Sequence, residues 1–318
     1  MSNLKCLLLG GTGFLGINLC KYLYANGYDV TIYNHCSVRF KRFKQLFPHV
    51  QIIDREFSSE TKESLIDILG NIDVVFHLIS TTNPSNKNVL YDFESNVLPT
   101  IRLLDACVKA KVKKIIYFSS GGTVYGIPRY IPIDEGHRTE PLSAYGIHKL
   151  AVEKCLEYYG RTYQLNYNIL RVSNPYGEGQ NPFSNQGVVA VFLAKALMHQ
   201  PIEIWGDGSV MRDYIFVDDV IIACIKILNY QGKNSVFNVG SGVGYSLQEI
   251  IRIIQKTTGS ILDINYLAGR VQDVPANILD ISLMKKEVKW SPEITINEGI
   301  KKMLSSWNYA KKEFEVRV

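Results

Sequence analysis

The sequence predicts an α/β protein: a Rossmann-type, doubly wound parallel sheet followed by a smaller C-terminal α/β lobe. Three observations carry that expectation. Short apolar runs alternate with helical patterns through the first half of the chain. A glycine-rich turn, Gly10-Gly11-Thr12-Gly13-Phe14-Leu15-Gly16, directly follows the first run. From about Asn174 the rhythm loosens into loops rich in Gly, Asn, Asp and Pro.

Taken in order, Lys5 to Leu9, Asp29 to Tyr33, Val50 to Ile53, Val74 to Ile79, Lys114 to Ser119 and Asn166 to Val172 read as strands. Most are continuous apolar runs, as a sheet covered on both faces requires. Helical patterns between them imply parallel strands joined by right-handed crossovers. Further on, helices are expected near Val188 to Met198, Asp219 to Leu228, Leu247 to Thr257 and Asn297 to Ala310. Tyr214 to Val217 and Val236 to Val239 read as strands that return to the main sheet. The division is then a Rossmann domain over residues 1–173, completed by strands from about 212–240, and a lobe over 174–318.

Composition narrows the classes. With 318 residues, 46% of them apolar and 20% charged, the chain can bury a large core as one globular unit of two lobes. The net charge of +5 is dispersed apart from a cluster at Arg39, Lys41, Arg42 and Lys44, which argues against a nucleic-acid partner and leaves small anions. Six scattered cysteines without paired spacing point to a reducing cytoplasm and no structural metal. Cys6 to Leu9 is too short for a signal segment, and no stretch approaches a membrane span. A cytoplasmic location without membrane attachment is expected.

Gly10, Gly13 and Gly16 stand three apart at a strand-to-helix junction. Missing Cβ atoms there permit the tight turn, let backbone N–H groups approach a pyrophosphate and keep helix and strand close. Phe14 and Leu15 in the same turn join the candidate dinucleotide contacts. The second strand ends at Asn34, where an acidic residue would hold a free ribose 2′-hydroxyl. Asn34 bonds a ribose without repelling a 2′-phosphate, and Arg39 is one cation able to reach such a phosphate. NAD is expected, with NADP as the alternative.

Tyr145 and Lys149, four apart on one predicted helix, share a face. The Lys149 ammonium and an oxidised nicotinamide would together stabilise the Tyr145 phenolate and lower its pKa toward working pH. Upstream, Phe118-Ser119-Ser120-Gly121-Gly122-Thr123-Val124-Tyr125-Gly126 ends a strand with hydroxyls placed to hold a substrate oxygen.

With these motifs the chain resembles the extended short-chain dehydrogenase/reductase superfamily, in its NAD-dependent, nucleotide-sugar epimerase/dehydratase branch. The resemblance runs through the glycine turn, Asp73-Val74-Val75-Phe76-His77-Leu78, Asn96 in Glu-Ser-Asn-Val and the Tyr145/Lys149 pair. It continues through Arg171-Val172-Ser173-Asn174-Pro175-Tyr176-Gly177, Ile204-Trp205-Gly206-Asp207-Gly208 and Arg212-Asp213-Tyr214-Ile215-Phe216-Val217-Asp218-Asp219-Val220. It implies that Tyr145 is the catalytic acid/base and Lys149 its partner and nicotinamide-ribose ligand. Glu56 falls where the family has an Asp at the adenine, with Phe57 beside it; Leu78 and Asn96 complete the cofactor set.

Gly121 departs from the family, which offers a Ser or Thr there. A neighbouring hydroxyl must serve, Thr123 first and Ser120 second. The second lobe would supply Asn174 and Val188 to the nucleotide sugar, Trp205 to the base, Arg212 and Arg270 to the diphosphate and Asp273 to the ribose. Asn277 falls where some epimerases carry a bulky aromatic that excludes N-acetylated sugars.

Two reactions follow from the resemblance. One is 4-epimerisation of UDP-hexoses, UDP-glucose and UDP-galactose or their N-acetyl analogues, through a 4-keto intermediate. The other is NADPH-dependent reduction of a dTDP- or otherwise linked 4-keto-6-deoxyhexose. A dehydratase is disfavoured because Gly122-Thr123, not Asp-Glu, follow Gly121. The resemblance also implies a homodimer paired through the helices around Asn96 to Val108 and Tyr145 to Tyr159 as a four-helix bundle, and a place in polysaccharide biosynthesis.

Overall fold

The computed structural model describes residues 4–35, 40–184, 186–269 and 274–315. The chain divides into two compact units. One comprises the residues up to Gly126 with Arg138–Arg171 and Cys224–Phe237; the other comprises Ile127–His137, Val172–Ala223 and Asn238 onward.

In the first unit β1 (Lys5–Leu9), α1 (Phe14–Ala25), β2 (Asp29–Asn34), α2 (Phe40–Leu46), β3 (Gln51–Asp54), α3 (Lys62–Leu69) and β4 (Val74–His77) alternate. Then come α4 (Val89–Asp92), a π-helical turn at Phe93–Val97, α5 (Leu98–Ala110), β5 (Lys114–Ser120), α6 (Ala144–Tyr163) and β6 (Tyr167–Val172). Apolar runs become strands because both sheet faces are covered; every residue of β4 is buried. Leu7, Leu9, Val75, Ile115, Tyr117 and Ile169 meet Leu65, Leu103, Leu104, Val152 and Leu156 from the helices in one core.

The second unit carries β7 (Asn174–Tyr176), α7 (Val188–Leu197), β8 (Ile202–Trp205), β9 (Met211–Phe216) and the start of α8 (Val217–Leu228), whose last turn lies in the first unit. β10 (Val236–Val239), β11 (Gly244–Ser246), α9 (Leu247–Thr258), β12 (Ile264–Leu267), β13 (Ala276–Asn277) and α10 (Ile296–Glu315) follow. α9 has clear end signals: Ser246 and Glu249 form a reciprocal capping box, and Gly259 ends it at φ 70°.

The large sheet is parallel and seven-stranded, in the order β10-β6-β5-β4-β1-β2-β3. Strand order reverses between β1 and β4, the place where such sheets bind ligands at the strands' carboxyl ends. β10 joins this sheet as expected. Tyr214 to Val217 does not: β9 belongs to a separate sheet with β11, β13 and β7, and Val217 already begins α8. Asp213 explains the difference. Wholly buried, it accepts from the N–H groups of Ser241, Gly242 and Leu279 and the hydroxyls of Ser173 and Ser241, which ties β9 to the second unit's own loops.

Candidate active site

The glycine turn forms as its spacing predicts. Gly10 takes φ +87°, and its N–H bonds the carbonyl of Tyr33 at 2.8 Å. A Cβ on Gly16 would lie 2.3 Å from the Gly10 carbonyl oxygen, so only glycine lets α1 start this close to the turn. Gly13 caps α1 without a side-chain acceptor, leaving the first N–H groups of the helix, at Phe14 and Leu15, for an outside anion. This uncapped, Cβ-free cradle fits a dinucleotide pyrophosphate.

At the ribose end, Asn34 turns its amide to the His35 carbonyl and stands in register with Asp54. His35 lies 3.9 Å from Asp54 and 3.6 Å from Glu56. Carboxylates therefore flank the end of β2, an unfavourable setting for a 2′-phosphate. Arg39 lies outside the described residues. The Phe57 side chain sits in the core against Tyr33 and His77, so the contact expected of it is not available to that ring.

Asn96, expected in the cofactor set, is buried and bonded to its neighbours. Its carbonyl accepts from Thr81 N–H at 3.0 Å, and its amide reaches Thr81 Oγ1, Ser95 Oγ and the Asp92 carbonyl. It fastens the loop after β4, which starts at Leu78, to the π-helical turn. Widened turns of this kind recur at functional sites.

Ser143 caps α6, and the next residues carry the chemistry. Lys149 is buried and Tyr145 half-buried, and Lys149 bonds the end of β5. Lys149 Nζ donates to the Phe118 carbonyl at 2.9 Å and lies 4.9 Å above the Tyr117 ring and 5.6 Å from the centre of the Tyr145 ring. Burial pushes the Tyr145 phenol up to about 12, against a lowering by a hydrogen bond with Ser80. Burial also pulls Lys149 down to about 7, although Glu153 one turn on opposes this. In the protein by itself desolvation outweighs the neighbouring charges, so the lowering expected of Lys149 needs the oxidised nicotinamide with which it was paired.

Of the two candidate hydroxyls, Ser120 is half-buried at the end of β5, whereas Thr123 Oγ1 is fully buried and has no hydrogen-bond partner. Gly146 holds the turn and the helix together: a Cβ there would lie 2.9 Å from the Thr123 carbonyl. A lone buried hydroxyl is costly unless something else bonds it. Behind them, Glu153 receives the Ser119 hydroxyl and pairs with Arg171 at 2.6 Å, and Arg171 also donates to the Tyr125 hydroxyl. This wholly buried ion pair anchors α6 to β6.

In the second unit, Arg212 donates to the carbonyls of Met211 and Val274 and lies beside Asn277 across the β9–β13 pairing. Asn174 donates to the Asp213 carbonyl at 2.9 Å. Asn277 is buried, Val188 is half-buried at the start of α7, and Trp205 is 44% exposed at the end of β8. Arg270 and Asp273 lie outside the described residues. Sequence reasoning missed Ser80, Asp92 and His148, for which no spacing rule exists. Among the described residues no group of three or more His, Cys, Asp or Glu is placed to hold a metal, and no helix is long and apolar enough to cross a membrane.

Residues 6–240 match the model of the NAD dependent epimerase/dehydratase family, and the chain belongs to that family of NAD-dependent enzymes. It is 36% identical over 301 residues to a protein of Methanocaldococcus jannaschii provisionally named UDP-glucose 4-epimerase, covering 94% of this chain and 97% of that one. It is 31% identical over 306 residues to the dTDP-4-dehydro-6-deoxyglucose reductase of Escherichia coli, with 94% and 96% covered. Among solved structures, the Thermotoga maritima UDP-glucose 4-epimerase with UDP-glucose superimposes with a TM-score of 0.90 at 31% identity, over 96% and 99% of the two chains. Other solved neighbours are complexes with NAD.

Proposed function

We propose that this protein is a UDP-sugar 4-epimerase acting on UDP-glucose and UDP-galactose or their N-acetyl analogues. The observation that carries the reading is the Tyr145–Lys149 pair on α6, with Lys149 bonded to the end of β5 and a buried, partnerless Thr123 hydroxyl in the turn that follows. The glycine turn would hold NAD, which supplies the hydride acceptor and donor. Tyr145 takes the proton of the sugar 4-hydroxyl and returns it after the 4-keto sugar turns over. Thr123, with Ser120 in reserve, holds the reacting oxygen. Lys149 keeps the phenolate stable once the site is charged. Asn174, Arg212 and Trp205 are the proposed grips on the nucleotide, joined by Arg270 and Asp273. Asn277, smaller than an aromatic residue, leaves the N-acetyl analogues within range.

Replacing Tyr145 by Phe tests the assignment. Turnover should fall by about 10³-fold while NAD binding stays intact; undiminished turnover would remove Tyr145 from the mechanism. Reduction of a dTDP-linked 4-keto-6-deoxyhexose is the second reading, favoured by the identity to the Escherichia coli reductase and by Asn34 in place of an acidic residue.

The homodimer belongs to the same proposal. α5 and α6 are joined by the Tyr159 hydroxyl on Asp105 at 2.7 Å, and Leu98, Ile147 and Tyr158 stand exposed on these two helices. A second copy would cover them as a four-helix bundle, and light scattering should give twice the 36.0 kDa chain mass.

A further inference from the structure

Next to Tyr145 and Lys149 lies a second buried polar pair that the reaction above does not use. His148 is 1% exposed on α6, and Asp92 is wholly buried at the end of α4. His148 Nδ1 stands 3.4 Å from Asp92 Oδ1. The imidazole meets the Tyr145 ring edge to face, with centroids 5.0 Å apart and planes at 80°. Asp92 is gripped from the loop after β4, by the Thr82 hydroxyl on Oδ1 and by the Asn86 amide on Oδ2 at 3.0 Å. Ser80 in that loop donates to the Thr82 carbonyl at 3.1 Å, and its hydroxyl acts on the Tyr145 phenol in the sense that favours the phenolate. The contacts close a circuit from Tyr145 through Ser80, Thr82, Asp92 and His148 back to Tyr145.

An apolar side chain at position 148 would fill the same space without a polar cost, and an apolar residue at 92 would spare a buried carboxylate. The groups facing His148 are Asp92 from α4, Lys149 on its own helix and His77 on β4. Burial keeps the imidazole neutral at ordinary pH, and with Nδ1 3.4 Å from Asp92 Oδ1 the tautomer protonated at Nδ1 is the one that faces the carboxylate favourably. Ser80 has one proton. It accepts from the neutral phenol while donating to Thr82, and must turn to donate once the phenolate forms.

We propose that Asp92 and His148 are a positioning pair for Tyr145: they clamp its ring and, through Thr82, hold the Ser80 hydroxyl where it stabilises the phenolate. The proposal rests on Tyr145 being the proton carrier. Charge alone predicts the opposite sign for Asp92, because its carboxylate raises the Tyr145 pKa. Asp92→Asn would then speed the reaction if the carboxylate acted only as a charge, and slow it if it positions.

The experiment compares wild type, Ser80→Ala, Asp92→Asn, His148→Phe, the Asp92→Asn/His148→Phe double variant and Tyr145→Phe. Epimerisation of UDP-glucose gives kcat, KM and the pH profile, and the phenolate absorbance, taken as the difference from Tyr145→Phe, gives the Tyr145 pKa without turnover. Expected are kcat losses of about 10²-fold with unchanged KM in Ser80→Ala, Asp92→Asn and His148→Phe, and a double variant no worse than its single parents. The Tyr145 pKa should rise in Ser80→Ala. Wild-type kcat and pH profile in these variants, or a faster Asp92→Asn enzyme, would overturn the positioning role and leave Tyr145 untouched. Full turnover in Tyr145→Phe would instead sink the reading beneath it.

Discussion

Acidification should destabilise this protein in a way that one residue reports. His77 ends β4, wholly buried, with Nε2 2.8 Å from the Thr100 hydroxyl and its ring against Phe57 and Tyr117. Burial, helped by the nearby Lys149 charge, lowers its pKa from 6.5 to about 3. A base whose folded pKa is depressed binds protons more readily when unfolded, so its contribution to stability is complete above 6.5 and is lost as pH falls toward 3. Each pH unit in that window costs about 1.4 kcal/mol, which makes about 2 kcal/mol by about pH 5. Asp213 and Asp219, whose carboxyls burial raises, respond in the opposite sense, so wild type must be set against His77→Phe. Urea unfolding followed by tryptophan fluorescence at about pH 7.5 and about pH 5 should show wild type losing about 2 kcal/mol more than His77→Phe. Equal losses would refute the argument, as would a His77 imidazole that titrates near 6.5 by NMR.

Three further outcomes are expected. Gly16→Ala drives a Cβ into the Gly10 carbonyl and Gly11, and should cost about 1–3 kcal/mol in thermal unfolding and weaken NAD binding in a direct titration. Arg171→Met strands the buried Glu153 carboxylate at a cost of about 3–5 kcal/mol in urea, most of it recovered by adding Glu153→Leu. Lys114, whose ammonium donates to the carbonyls of Ile227, Leu228 and Tyr230, closes the end of α8. Lys114→Met should cost about 1–3 kcal/mol and speed amide exchange in that last turn.

The sheet was legible because its strands are buried on both faces, so Val74 to Phe76 or Ile115 to Phe118 read as unbroken apolar runs whatever their neighbours. The glycine turn and the Tyr145/Lys149 pair were legible because turn sterics and helical periodicity are local. β9 was misplaced because Tyr214-Ile215-Phe216 is as apolar as a central strand, and only the donors gathered by Asp213 from distant loops reveal its sheet. β7, β11 and β13, two or three residues long, carry no periodicity to detect. Ser80 and Asp92 reach Tyr145 and His148 across more than fifty positions, a juxtaposition that only the folded chain creates. The depressed Lys149 and elevated Tyr145 pKa values come from burial, which spacing alone does not encode.

The most direct test of the account is to mix the purified protein with UDP-glucose, adding no cofactor, and follow the sugar protons by NMR. The account predicts that UDP-galactose appears and reaches equilibrium while no reduced nicotinamide accumulates. If no UDP-hexose or N-acetyl analogue is converted, and the protein instead oxidises added NADPH with a dTDP-linked 4-keto-6-deoxyhexose, the epimerase reading is contradicted.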